Sequence, residues 1–186
     1  MPDKKPMIAG NWKMFKTVPE AVETAARLAE ITSSPSEAEI MIAPGYVQLH
    51  PVAKALEGSR IALGAQDLFW EKEGAYTGAV SAPMLISVGC SYVIVGHSER
   101  RQLFGDTDET VNKKIHAAFE GGIKPVFCVG ETESERDSDK TFSVLDKQVR
   151  IGLKDLACDD LENLVIAYEP VWAIGTGKTA TREQAQ

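Results

Sequence analysis

The chain has 186 residues, of which 44% are hydrophobic, 25% charged and 7% aromatic, and its formal net charge is −7. At roughly 150 residues per domain this predicts one domain over 1–186 with a substantial core, and the composition excludes disordered and fibrous classes. Interspersed acidic and basic residues argue against a nucleic-acid scaffold, and no apolar run approaches the ~20 residues of a bilayer span.

The first residues, Met1-Pro2-Asp3-Lys4-Lys5-Pro6, lead into a short apolar segment broken by Gly10-Asn11, unlike the apolar core of a signal peptide. Cys90, Cys128 and Cys158 are odd in number and sit among apolar or helical neighbours, so a disulfide framework is not expected. The expectation is a cytoplasmic α/β domain.

Six short apolar runs read as strands: Met7-Ile8-Ala9, Ile40-Met41-Ile42-Ala43, Ile61-Ala62-Leu63, Tyr92-Val93-Ile94-Val95, Pro125-Val126-Phe127-Cys128-Val129 and Leu164-Val165-Ile166-Ala167. They lack polar alternation, as expected of strands buried on both faces of a parallel sheet. Between them lie helical stripes. Val18, Val22, Ala25 and Ala29 follow a Thr17–Glu20 capping pair. Val111, Ile115, Ala118 and Phe119 are closed by Gly121-Gly122, and Phe142, Leu145, Val149 and Leu153 form a third stripe. The acidic stretch from Glu131 to Asp139 reads as a solvated loop and helix start. Strand–helix alternation implies right-handed crossovers and a parallel sheet, either doubly wound or a closed (β/α) barrel. Thr181 and Gln184 form a last capping pair, opening a helix at about Arg182 that is less than two turns long when the sequence stops. So short a helix is not stable by itself. The expectation is that the chain is a fragment of a longer fold or needs a complementing segment.

Ligands of parallel α/β proteins gather at the carboxyl ends of strands, where loops converge. Polar residues follow the first run (Gly10-Asn11-Trp12-Lys13), the fourth (Gly96-His97-Ser98-Glu99-Arg100-Arg101), the fifth (Gly130-Glu131) and the sixth (Tyr168-Glu169-Pro170-Val171-Trp172). Each has an ordinary structural explanation: Lys13 as a surface charge, His97 as a turn cap, Glu169 as a loop carboxylate. Together, a lysine, a histidine and a glutamate at one end of one sheet are the ingredients for proton transfer beside a polarised oxygen. His50, in a loop before Pro51, and His116, on a helix beside Lys113 and Lys114, fit no such site. No His/Cys/carboxylate cluster has metal-ligand spacing, so no metal is expected. Gly175-Thr176-Gly177-Lys178-Thr179 looks like the end of a P-loop, but the required earlier glycine position holds Trp172. A lid whose backbone N–H groups donate to a phosphate fits that segment better.

Three segments resemble the signature stretches of the triosephosphate isomerase family, in that family's order: 10–14, 92–101 and 167–178. The similarity runs from about Met7 to the last residue. It implies a TIM (β/α)8 barrel, here reduced to about six βα units with strands 7 and 8 absent. The implied enzyme is a cofactor-independent isomerase of glycolysis and gluconeogenesis that interconverts dihydroxyacetone phosphate and D-glyceraldehyde 3-phosphate. By the same resemblance Glu169 is the catalytic base, His97 the electrophile, and Lys13 with Asn11 stabilises developing negative charge. Gly175 gives a lid N–H to the phosphate, Glu99 supports the site, and Pro170 and Trp172 form the lid hinge. A helix starting near Ser98 favours the neutral imidazole this role of His97 requires.

The stretch 64–78 resembles the family's long third loop, implying a homodimer in which Thr77 meets the partner subunit. Ala79 departs from the family's usual glutamate. Because the loops after the last two strands hold most of the family's phosphate site, the chain alone is expected to be weakly active or inactive. The alternatives are a non-catalytic phosphate-binding remnant of the same barrel and a different phosphosugar enzyme on that barrel. No nucleic-acid or membrane partner is expected.

Overall fold

A computed structural model describes residues 5–174, 177 and 179–185. Six strands, β1 (Met7–Asn11), β2 (Glu39–Ala43), β3 (Ile61–Ala65), β4 (Cys90–Val95), β5 (Lys124–Val129) and β6 (Val165–Tyr168), form one sheet in the order β1-β2-β3-β4-β5-β6. Every pairing is parallel, with registers such as Asn11↔Ala43, Val95↔Phe127 and Val129↔Tyr168. A doubly wound sheet reverses its strand order at a switch point, whereas a barrel adds each strand beside the last. The unbroken order decides for the barrel topology.

The eight helices of the described residues are α1 (Val18–Ile31), α2 (Leu49–Ala55), α3 (Ala82–Ser87), α4 (Ser98–Leu103), α5 (Asp108–Gly121), α6 (Glu133–Asp137), α7 (Thr141–Gly152) and α8 (Arg182–Ala185). Both expected capping pairs are present: the Thr17 N–H donates to Glu20 at 2.7 Å, and the Thr181 N–H to Gln184 at 2.9 Å. Gly122 ends α5 in the left-handed conformation, φ 78°.

Alternate residues of each strand serve two cores. Ile42, Leu63, Val93, Val95, Phe127 and Val129 face the helices, where they meet Ala21, Ala25, Val111, Ile115 and Ala118. Met41, Ala43, Tyr92, Ile94, Val126 and Cys128 share the other face with Met7, Val165 and Ala167. Several of this second set are small towards the strands' carboxyl ends: Ala43, Cys128 and Ala167. That leaves space where the loops converge.

Four expectations need correction. β1 and β6 are only partly buried, Ile8 being 61% and Ile166 51% exposed, because each end strand of the sheet order has one strand neighbour. Phe142 is 86% exposed, so the core-facing stripe of α7 is carried by the partly buried Leu145 and Val149. His50 lies in the first turn of α2, where Pro51 needs no helical hydrogen bond for its missing N–H. Glu131, read as part of a solvated run, is fully buried.

Candidate active site

Lys13 follows β1 with a left-handed backbone, φ 52°. That conformation costs a non-glycine residue energy unless its surroundings fix it. Two contacts do so, and a third braces one of them. The Lys13 N–H donates to Asn11 Oδ1 at 2.9 Å, and Gln66 Nε2 donates to the Lys13 carbonyl at 2.8 Å and to the Ala43 carbonyl at 2.9 Å. Gln66 thereby ties together the ends of β1, β2 and β3. The Lys13 ammonium is paired with Glu99 Oε1 at 2.6 Å.

His97 stands at the N-cap of α4. By alternation it belongs with Val93 and Val95 on the helix-facing side, but Gly96, at φ 73°, breaks the count and lets the ring reach the sheet's end. The ring is buried, with the Glu99 N–H donating to Nδ1 at 3.2 Å. A nitrogen that accepts carries no proton, so the ring proton sits on Nε2, which lies 3.2 Å from Glu169 Oε1. Glu99 Oε2 is 3.7 Å from Nδ1, too far for a hydrogen bond.

Glu169 follows β6 in the parity of Val165 and Ala167, and its N–H continues the ladder to the Val129 carbonyl at 2.8 Å. Its second carboxylate oxygen accepts the Ser98 N–H, the first of α4, at 3.1 Å. Gly130 packs directly under this turn. A Cβ there would lie 1.8 Å from the Glu169 carbonyl oxygen, so no other residue fits without displacing the backbone that carries the carboxylate. The buried Cys128 thiol is pushed well above the usual thiol range, by burial first and then by the charge of Glu169 and a hydrogen bond to it. It therefore faces the carboxylate as a neutral group.

Beyond Glu169 the chain turns at Pro170 into a short 3-10 segment, Val171–Ala173. The Trp172 indole N–H donates to Glu131 at 3.0 Å, the Tyr168 hydroxyl donates to the same carboxylate at 3.0 Å, and Arg136 pairs with it at 2.8 Å while lying over the indole ring. Burial alone would push the Glu131 carboxyl up. Hydrogen bonds from its own backbone, Arg136, Trp172 and Tyr168 outweigh burial and hold it below its ordinary value of 4.5. A depressed carboxyl stabilises the fold above its unfolded value and loses that contribution as pH falls through the folded one. The Trp172 contribution to fluorescence, isolated by difference from Trp172→Phe, is therefore expected to stay constant from neutral pH down through 4.5 and to change only below it. A change centred above 4.5 would contradict the clasp.

The structure thus brings Asn11, Lys13, His97, Glu99 and Glu169 together, and sets Pro170 and Trp172 at the root of the following loop. Thr77 is exposed in the loop between β3 and α3. Gly175 lies outside the described residues. Sequence reasoning missed Gln66 and the Ser98 N–H, and it named Gly130 and Glu131 after the fifth run without giving either a role. Glu131 had a signal, its place directly after β5, but its acidic successors argued for solvent.

What proteins share this arrangement is plain from comparison. The family model for triosephosphate isomerase matches residues 6–186. The triosephosphate isomerase of Geotalea uraniireducens is 55% identical over 183 residues, covering 98% of this chain and 73% of its own length. That of Geobacter metallireducens is 56% identical with the same coverage. Among solved structures, the triosephosphate isomerase of Bartonella henselae superposes with a TM-score of 0.83 at 41% identity, over 91% of this chain and 69% of that one. Signature residues, strand order and near-complete alignment agree, and the chain belongs to the triosephosphate isomerase family.

Proposed function

We propose that this chain interconverts dihydroxyacetone phosphate and D-glyceraldehyde 3-phosphate, without a cofactor, by proton transfer through an enediolate. The supporting observation is the convergence of the Lys13 ammonium, the His97 Nε2–H and the Glu169 carboxylate at the ends of β1, β4 and β6.

A proton on the carbon beside a ketone is hard to remove because the electron pair left behind is unstable. Donors aimed at the carbonyl oxygen let the charge settle there instead. In this reading Glu169 leaves its resting partners, Ser98 and His97, and takes a proton from the hydroxymethyl carbon of the substrate. The electron pair moves through the new carbon–carbon double bond to the carbonyl oxygen, where His97 Nε2–H and Lys13 stabilise it. His97 passes its proton to that oxygen and recovers one from the neighbouring hydroxyl. Glu169 then returns its proton to the adjacent carbon, so nothing is gained or lost. Asn11 acts by holding the Lys13 backbone, and Glu99 by holding both the Lys13 ammonium and, through its N–H, the His97 tautomer. Gly175 supplies a lid N–H to the phosphate, and Pro170 and Trp172 set the root of that lid.

The exposed loop carrying Thr77 is the proposed contact of a homodimer. A cytoplasmic setting is proposed with the glycolytic and gluconeogenic role; no helix of the described residues is long and apolar enough to cross a membrane. The test is exchange of solvent deuterium into dihydroxyacetone phosphate. The proposed chemistry gives exchange that disappears in Glu169→Gln. A phosphate-binding protein without chemistry gives none in either form.

A further inference from the structure

α4 carries three of the site's contacts, yet it has six residues, too few to hold itself as a helix. What fixes it lies on the side away from the reacting groups. Arg100, on α4, bonds Asp67 at 2.9 Å and Asp106 at 3.2 Å. Both aspartates also bond Lys114, at 2.7 and 2.8 Å, and the Lys114 side chain is only 4% exposed. Lys114 belongs to the 14-residue α5, which is anchored in the core by Val111, Ile115 and Ala118. The Asp106 N–H closes the ring on the Arg100 carbonyl at 3.2 Å.

Given the isomerase reading above, we infer that Lys114 is a positioning residue of the reaction: through Asp67, Asp106 and Arg100 it fixes α4 so that the Ser98 and Glu99 N–H groups meet Glu169 and His97. The charges explain why this residue must be a cation. Buried Asp67 and part-buried Asp106 face one half-buried arginine, and the buried ammonium of Lys114 supplies the second positive charge that balances them. Burial pushes the Asp67 carboxyl up even with Lys114 and Arg100 beside it, so removing the Lys114 charge takes away the largest influence that holds it down. Arg101, the neighbour of Arg100 on α4, makes a second tie to α5, at its first residue Asp108 at 2.6 Å, and bonds the Gly96 carbonyl at 2.7 Å; the Lys114 network adds the hold at Arg100 that Arg101 does not give.

The experiment compares Lys114→Met, Lys114→Arg and Asp106→Asn in the full chain by urea midpoint, kcat, KM and the 15N shifts of the His97 ring. The shifts of the unsubstituted chain should show a hydrogen-bonded, unprotonated Nδ1 and a protonated Nε2. Lys114→Met should move both ring shifts and lower kcat about 10²-fold at constant KM, as a displacement of the order of 1 Å does. Lys114→Arg should recover both measures in part. If Lys114→Met does not fold, Asp106→Asn should give the same ring displacement in smaller measure. A folded Lys114→Met or Asp106→Asn whose His97 shifts match those of the unsubstituted chain overturns the inference, whatever its urea midpoint. Because the shifts report the placement of α4 with or without turnover, an unsubstituted chain with no exchange activity would sink the isomerase reading separately.

Discussion

Replacing Glu169 by aspartate is expected to lower kcat by about 10²-fold or more with KM nearly unchanged. The charge is kept and the reach is lost. Shortening the side chain by one methylene withdraws the carboxylate from the carbon while the backbone stays pinned by the Val129 carbonyl and by Gly130 beneath it. The turn cannot creep forward to compensate, since the close approach at Gly130 leaves no slack. Substrate is bound by other groups, so the loss should fall on the chemical step. Steady-state kinetics in both directions check this, and an unchanged kcat would remove Glu169 from the role of base.

Lys13→Met is expected to be more damaging, lowering kcat by at least about 10³-fold and weakening binding of a phosphate-ester inhibitor as well. Methionine keeps much of the stem and removes the ammonium, so the change is mainly electrostatic. In the proposed role the lysine serves the ground state and the enediolate alike, because the substrate arrives already negative. That is why both binding and turnover should suffer, in contrast to Glu169→Asp. Glu99, left without its 2.6 Å partner, adds an unopposed negative charge at the mouth of the site. Inhibition constants measured alongside kcat decide the matter; normal inhibitor binding would contradict the electrostatic assignment.

The fold was readable where one rule governed. The apolar runs found all six strands to within about two residues: β2 to β5 because a strand buried on two faces has no alternative pattern to offer, and β1 and β6 because their runs stay apolar although each is only partly buried. The Gly121-Gly122 stop and the two capping pairs marked helix ends for similarly local reasons. α2 and α3 went unread because seven and six residues give too little periodicity, and tertiary contacts rather than propensity make them helical. In the site, Lys13, His97 and Glu169 were legible from their places after strands, with the resemblance supplying their roles. Glu131 was misread because burial of a carboxylate depends on Tyr168, Trp172 and Arg136 arriving from elsewhere, and a run of acids announces the opposite. Gln66 was silent and Gly130, though named after the fifth run, had no readable role for the same reason: their value is a distance between loops, which spacing along the chain does not encode.

The strand order has a consequence for how the molecule comes into being. Each strand hydrogen-bonds to the one synthesised just before it, so a chain emerging from the ribosome can add one unit at a time without waiting for distant partners. The link from Ser98 to Glu169 spans 71 positions and is made only when β6 arrives. Nascent intermediates would thus be structured well before the site is assembled, and Glu169, the proposed base, would be the last of its groups delivered.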